Sequence, residues 1–376
     1  MDTTVKFFQS TMSGAPALSG TVGSLISVID ACLVNGFGAV TLDSLVISSN
    51  VATGTVSAGH NFAINGTTGP VIAIYGATPS ALNGEWRVAS VPNSTTFTFS
   101  TSGISNQTAT GTIVAKRAPA GWAKIYSGTN KAVYQCLDLT STRLCLRVDD
   151  VTNAQWGYLT GYESMTDVDT GINSFPSTPV YFAKSSAASS TTRAWNVIAD
   201  HKLAFIFAQA DGTNWYGYGV FGDVITYALV DIYHCILAAH GSTVQTNNSV
   251  VNFSQATQSG QYFARAYDQI TKSIGFGKVS LSGMSSLGNN SILTQYPNRP
   301  NNAFMGMPIY LFENNGVDLR GVMPGMICPI LHYTNIAQGA IVTVLSGFST
   351  PRDLFIQSHH TNNQYRSAID ITGPWR

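Results

Sequence analysis

The residues best suited to chemistry lie in one short segment, Asp167-Val-Asp169-Thr-Gly171-Ile-Asn173. Two carboxylates and an amide stand at alternate positions beside a turn glycine, as they do in calcium-binding loops. The segment lacks the full EF-hand pattern and its closing glutamate, although Asp149-Asp150 offers further carboxylates. The same residues suit a turn whose aspartates accept hydrogen bonds from their own backbone. We favour the turn, and Asp167, Asp169 and Asn173 are a weak calcium candidate.

A second candidate site is aromatic. Trp215, Tyr216 and Tyr218 could stack on the sugars of a glycan at a bacterial surface. Successive side chains of a strand point to opposite faces, which places Trp215 opposite the two tyrosines. Part of this set should therefore be core, and glycan contact is a secondary hypothesis for these three residues.

Patterns typical of catalysis are missing from the sequence. It contains no H-E-x-x-H zinc motif, no G-x-S-x-G nucleophile turn and no C-x-x-C pair. Glycosidases need two placed carboxylates, and nothing in the sequence favours one pair of aspartates over another. We therefore predict no catalytic residues, no cofactor and no enzymatic activity.

Charge is sparse and balanced. Charged residues make up 10% of the chain, against about 25% in a typical soluble domain. Lys plus Arg and Asp plus Glu number 19 each, and no basic cluster is present that would release counterions from nucleic acid. A neutral polar surface can contact copies of itself without desolvating ion pairs. The composition predicts a protein that assembles with itself and does not bind nucleic acid.

The elements that must position these residues are mostly strands. One helix is predicted over residues 19–37, where Val22, Leu25, Ile26, Ile29 and Leu33 recur at helical spacing. Ser19 or Thr21 is its expected N-cap, and Asn35-Gly36 its expected end. No apolar run reaches the length of a membrane span, and no secretory signal is visible. We therefore expect no membrane span and synthesis in a cytoplasm.

Short strands separated by turns characterise the rest. Six are predicted within residues 43–117, as in a small immunoglobulin-like (Ig-like) β-sandwich inserted into a larger domain. The larger domain, residues 1–42 plus 118–376, is predicted as a β-sandwich, with a further division near 240–300 left open. Two long polar stretches, 174–192 and 241–260, are predicted as loops. The predicted class is mainly β.

Several phrases of the sequence carry a resemblance. The segments FFQSTMSGAPALSG at residues 7–20, GWAKIYSGTNKAVY at 121–134 and GYESMTDVDTG at 161–171 resemble virion proteins of tailed bacteriophages and prophages. The stretch with Asn83-Gly84 and TTFTF at 95–99 is similar to Ig-like inserts of phage structural proteins. The resemblance covers roughly the first two-thirds of the chain and transfers no functional residues.

This resemblance implies a place in a phage particle assembled in the host bacterial cytoplasm. The expected role is a structural component of the peripheral tail, baseplate or neck, with itself (a homo-oligomer, a trimer among the options) and other virion proteins as partners. A capsid decoration protein is the first alternative. A receptor-binding module for a host surface glycan is the second, and a polysaccharide-degrading tailspike is the third.

Overall fold

The computed structural model describes residues 1–151, 153–211, 216–228, 230–240, 260–279, 297–298, 300, 304–313, 318–329, 336–344, 350–358 and 366–376. Antiparallel strands dominate this part of the chain, and they stack in layers next to one short N-terminal helix. The predicted class, mainly β and sandwich-type with one helix, is confirmed. None of the helices in the described ranges has the length and apolar character of a membrane span.

Three sheets build the larger part of the molecule. The central sheet has seven strands, in spatial order Lys6–Gln9, Trp195–Ala199, Leu203–Gln209, Tyr216–Asp223, Cys235–Ala238, Gln261–Arg265 and Lys272–Gly275. The five-stranded sheet contains Trp122–Gly128, Lys131–Cys136, Cys145–Asp149, Trp156–Met165 and Gly171–Ala183. The C-terminal sheet contains Gly277–Val279, Gly306–Glu313, Asp318–Pro329, Arg366–Asp370, Arg352–Ser358 and Ile341–Val344, with Ile225–Thr226 paired to Asp318–Pro329.

The central sheet is buried on both faces. Ala204 and Ile206 belong to a core shared with the five-stranded sheet, whereas Phe205 and Phe207 belong to a core shared with the C-terminal sheet. An antiparallel strand with one wet face would alternate apolar and polar residues. Double burial explains why Leu203–Gln209 is instead apolar at nearly every position. The molecule is thus layered, with the central sheet in the middle.

The helix is shorter than the sequence predicted. An α-helix covers Ser24–Ile29 and continues as a π-helix over Asp30–Asn35, ending at Gly36, whose φ is 69°. The prediction that Ser19 or Thr21 caps it is wrong, because Gly23 occupies the N-cap position with no side-chain cap. Leu25 instead donates its backbone N–H to the carboxylate of Asp150, 2.9 Å away. A residue that directly follows the distant strand Cys145–Asp149 therefore accepts a backbone hydrogen bond at the start of the helix.

That carboxylate belongs to a buried ion pair. Asp150 also accepts a hydrogen bond from the ammonium of Lys184, and both side chains are fully buried. Lys184 donates in addition to the backbone oxygen of Thr21, at 2.7 Å. Burial raises the pKa of Asp150 although Lys184 opposes the shift, and burial likewise lowers the pKa of Lys184. The pair joins the helix start to the five-stranded sheet and to the segment that follows it.

A fourth sheet contains the predicted insert. Its eight strands, in spatial order, are Phe37–Thr41, Val114–Arg117, Val71–Tyr75, Gly84–Asn93, Thr96–Ser100, Val51–Thr55, Ser44–Ser48 and Gln107–Thr108. A short 3₁₀-helix, Ser80–Leu82, interrupts them. The sheet encloses its own apolar cluster, which includes Leu45, Ile72, Phe97 and Phe99. Since Phe37–Thr41 pairs with Val114–Arg117, the sheet begins before residue 43, where the predicted insert starts. We call residues 37–117 the insert.

Buried hydrogen bonds hold the insert to the other layers. Arg87 donates to the backbone oxygens of Asp2, Val5 and Thr372 at 2.7, 3.1 and 3.1 Å. The carboxylate of Asp353, in the C-terminal sheet, accepts the backbone N–H of Thr67 at 2.8 Å. Polar groups removed from water stabilise a contact only when they are paired in this way. These hydrogen bonds therefore anchor the insert to the N-terminal segment and to the C-terminal sheet.

Of the two stretches predicted as loops, the first is partly a strand and the second lies almost entirely outside the described residues. Residues 174–183 form the second part of the strand Gly171–Ala183, because Phe175, Val180 and Phe182 face a core. The apolar residues that indicate a strand here are spaced among Ser, Thr and Pro, and this polar composition led to the prediction of a loop. Residues 241–259 lie outside the described residues.

Candidate functional site

The calcium candidate forms a hydrogen-bonded turn. The carboxylate of Asp167 accepts the backbone N–H groups of Asp169 and Thr170 at 2.7 and 2.8 Å. These hydrogen bonds, that of Asp169 first, lower the pKa of Asp167. The side chain thus stabilises the reversal between the strands Trp156–Met165 and Gly171–Ala183, as an aspartate that accepts hydrogen bonds from its own backbone does in a turn.

The other two members of the candidate point to cations of the protein. Asp169 accepts hydrogen bonds from Lys131 at 2.8 Å and Arg147 at 2.6 Å, and these bonds lower its pKa. Asn173 donates to Glu163 and accepts from Lys272, both at 2.7 Å. In the described ranges, no group of three His, Cys, Asp or Glu side chains is placed to hold a metal. The three candidate residues neighbour one another, but each has a protein partner.

Excess calcium chloride should therefore leave the thermal unfolding midpoint of the protein unchanged relative to EDTA. A calcium ion would have to displace Lys131 and Arg147 from Asp169, and the backbone amides from Asp167. Differential scanning calorimetry with and without calcium measures this directly. A midpoint that rises with calcium, and no longer rises in Asp167→Asn, would establish the calcium site and contradict our expectation.

Of the aromatic candidate, the structure describes the side chain of Tyr218. Trp215 lies outside them, and Tyr216 begins the strand Tyr216–Asp223. Tyr218 is 1% exposed and donates its hydroxyl to the backbone oxygen of Ala239 at 2.8 Å. Burial raises the pKa of this phenol well above its ordinary range. Tyr218 therefore belongs to the core of the central sheet, and its position does not suit contact with an external glycan.

Exposed apolar side chains mark a different surface. Five large apolar residues, each more than half exposed, stand on two neighbouring segments: Tyr227, Val230, Ile232, Tyr267 and Ile270. The two segments are joined because Gln269 donates its side-chain amide to the backbone oxygen of Val230 at 2.7 Å. Single exposed apolar residues are ordinary, whereas a group of them indicates an interaction site. We call these five residues the apolar patch.

A buried ion network lies beneath the apolar patch. Arg320 forms a two-pronged contact with Asp231, at 2.9 and 3.0 Å, and pairs with Glu313 as well. All three side chains are at most 1% exposed. The guanidinium of Arg320 also donates to the backbone oxygens of Arg265 and Tyr233, and stacks 4.1 Å from the ring of Phe263.

The network fixes both segments of the apolar patch to the C-terminal sheet. Asp231 lies between Val230 and Ile232, and Glu313 accepts the backbone N–H of Tyr267 at 3.1 Å. Burial raises the pKa of Asp231, but the hydrogen bonds and charge of Arg320 outweigh it and leave the pKa lowered. The exposed apolar side chains are therefore carried on segments that buried ion pairs and hydrogen bonds anchor, and a preorganised surface loses little entropy when it binds.

Sequence reasoning missed this surface. Asp231 and Arg320 are separated by 89 positions, so no local spacing connects them. Glu313 was one sign of a buried ion pair that the sequence contained. The chain has very few glutamates, and a glutamate at the end of an apolar strand is unusual. No protein-family model matches the sequence, and no curated protein matches it. Its function is therefore inferred from its own residues.

Proposed function

We propose that this chain is a structural component of a tailed-bacteriophage virion, at the peripheral tail, baseplate or neck, and that it acts by association and not as an enzyme. The observation that carries the proposal is the apolar patch on its buried ion network. The phrase-level resemblance to virion proteins supports the location, and the low charge content supports assembly. The chain reaches the particle from the host cytoplasm.

A second copy of the same chain is the partner we assign to the apolar patch. The five side chains carry no charge, so they offer no electrostatic preference for an acidic or a basic partner. The whole chain has zero formal net charge, so copies of it do not repel one another over distance. Apolar surface without charge selection is typical of contacts between identical subunits.

Replacing Val230 and Ile270 together by Asp should dissociate the oligomer. Each buried aliphatic side chain contributes about 1.5–3 kcal/mol, so we expect the dissociation constant to rise by about two orders of magnitude or more. Light scattering after size-exclusion chromatography measures the mass. The matched control is Leu137→Asp with Leu139→Asp, two exposed leucines in a turn elsewhere on the molecule. A monomeric wild type, or equal dissociation in the control, would contradict the assignment.

Location in a particle requires a separate experiment. Cryo-electron microscopy of purified virions should show density for this chain at the tail, baseplate or neck, present in several copies. Density on the capsid would favour a decoration protein. Absence from the particle would overturn the proposal, and binding of the free protein to host cells or release of oligosaccharides would then favour the receptor or the enzyme alternative.

A further inference from the structure

A polar pocket lies where the insert meets the segment after the first strand. Its volume is about 400 Å³, and Gln9, Thr11, Asn61, Asn65, Phe62 and Arg117 contribute to its lining. Sites for small molecules span about 300–1,000 Å³ and combine a few placed polar groups with an apolar wall. The pocket therefore has the size of a small-molecule site, its lining is more polar than that of most such sites, and it lies apart from the apolar patch.

Arg117 is the charged group of this pocket. It is 3% exposed, and its Nη atoms donate to the backbone oxygens of Ser13 at 3.3 Å and Asn61 at 2.7 Å. Its buried Nε has no hydrogen-bond partner among the described residues. No carboxylate in the described ranges forms an ion pair with it. Within the part of the chain that the structure describes, this buried guanidinium therefore has neutral partners, one unused donor and no counter-ion.

Two other buried arginines among the described residues have carboxylates near them. Arg320 pairs with two carboxylates, and the charges of Asp2 and Asp370 act on Arg87. For Arg117, burial alone acts, and it lowers the pKa to about 10. The group still carries its charge near neutral pH. An uncompensated buried charge is costly, and an anionic ligand would remove that cost.

The surroundings of Arg117 orient it and add neutral hydrogen-bonding groups. The rings of Phe37 and Phe62 lie 5.6 and 5.4 Å from the guanidinium carbon. Such contacts hold the planar group in place, which favours two-pronged binding of a carboxylate. The exposed side chains of Thr11 and Asn61 offer a hydroxyl and an amide at the rim, and these groups suit a ligand that carries hydroxyls as well as a carboxylate.

We propose that this pocket binds a small carboxylate ligand of the sugar-acid class, with Arg117 as its counter-ion. Acidic sugars combine one carboxylate with several hydroxyls, which matches one guanidinium surrounded by neutral polar groups. The site is independent of the location proposed above, because it needs neither the apolar patch nor a particle. It gives the chain a binding function in addition to assembly.

Glucuronate is the probe, with glucose as its neutral counterpart and inorganic phosphate as an anion without hydroxyl-bearing carbons. Isothermal titration of the full chain should show saturable binding of glucuronate and none of glucose. Arg117→Gln should weaken glucuronate binding by about tenfold or more, because a charge-assisted contact is lost. Arg143→Gln, at an exposed arginine elsewhere, is the matched control and should bind as the wild type does.

A second variant keeps the test decisive if Arg117→Gln does not fold. Ala63→Trp should fill the pocket from its exposed rim while leaving Arg117 in place, and should also abolish glucuronate binding. Phosphate binding as tight as that of glucuronate would overturn the sugar-acid class. Absence of saturable glucuronate binding, or binding that both pocket variants retain, would overturn the site itself.

Discussion

Arg320→Met should lower the free energy of unfolding by about 3–5 kcal/mol, because removing one partner of a buried ion network leaves the others uncompensated. Here two carboxylates, Asp231 and Glu313, would remain at the base of the apolar patch with no cation between them. Urea unfolding followed by tryptophan fluorescence measures the loss. Arg143→Met, at an exposed arginine, is the control and should change the same quantity by less than about 0.5 kcal/mol.

The loss of unfolding free energy in Arg320→Met should become smaller as the pH falls. In the wild type the pKa of Asp231 is lowered on folding, so its contribution is present above the pKa of the unfolded chain, about 3.9. That contribution is lost as pH falls through the lower folded-state pKa. Without Arg320, the hydrogen bonds and the charge that lower the pKa of Asp231 most are gone, and burial then raises the pKa of this carboxyl. The difference between wild type and Arg320→Met should therefore shrink as pH falls towards 4, and a constant difference would contradict the electrostatic explanation.

Lys184→Met should also cost about 3–5 kcal/mol of unfolding free energy, because Asp150 would stay fully buried without its cation. The double variant Asp150→Asn with Lys184→Met should recover most of that loss. Asn removes the charge but keeps an oxygen that can accept the backbone N–H of Leu25, so the helix cap is preserved. Urea unfolding of the wild type, both single variants and the double variant gives the interaction energy.

A second double variant at Asp150 and Lys184 separates the effect of the charges from that of the helix cap. Asp150→Leu with Lys184→Met also removes both charges but loses the cap oxygen, so it should be less stable than the double variant with Asn by about 0.5–2 kcal/mol. Equal stability of the two double variants would show that the Leu25 contact contributes nothing. Failure of the Asn double variant to recover stability would show that the cost of Lys184→Met does not come from an unpaired charge.

The strands were largely predictable from the sequence, whereas their layering was not. Strands such as Leu203–Gln209 and Val71–Tyr75 are recognisable in the sequence, because a run of apolar and β-branched residues between turn signals is a local property. The stacking of the central sheet between two others depends on contacts between residues far apart in sequence, such as Phe7 with Phe355, whose ring centroids lie 5.0 Å apart. Nothing in a local window encodes such a pairing.

The same distinction applies to the candidate sites. The Asp167 turn was visible because its partners are two and three positions away. The Arg320 network and the Arg117 pocket each join residues from distant segments, and sequence spacing therefore held no trace of them. Tyr218 was misleading for a related reason: an aromatic strand looks the same in sequence whether its outer face meets solvent or another layer.

The pairing of the first strand has a consequence for synthesis on the ribosome. Among the described strands, Lys6–Gln9 pairs with Trp195–Ala199. A ribosome working at about 5–20 residues per second makes that second strand roughly ten seconds or more after the first. The insert, in contrast, has all its pairing partners and its own apolar cluster within residues 37–117. The insert can fold before the partner of the first strand has been made. We therefore expect the insert of the nascent chain to fold before the central sheet forms.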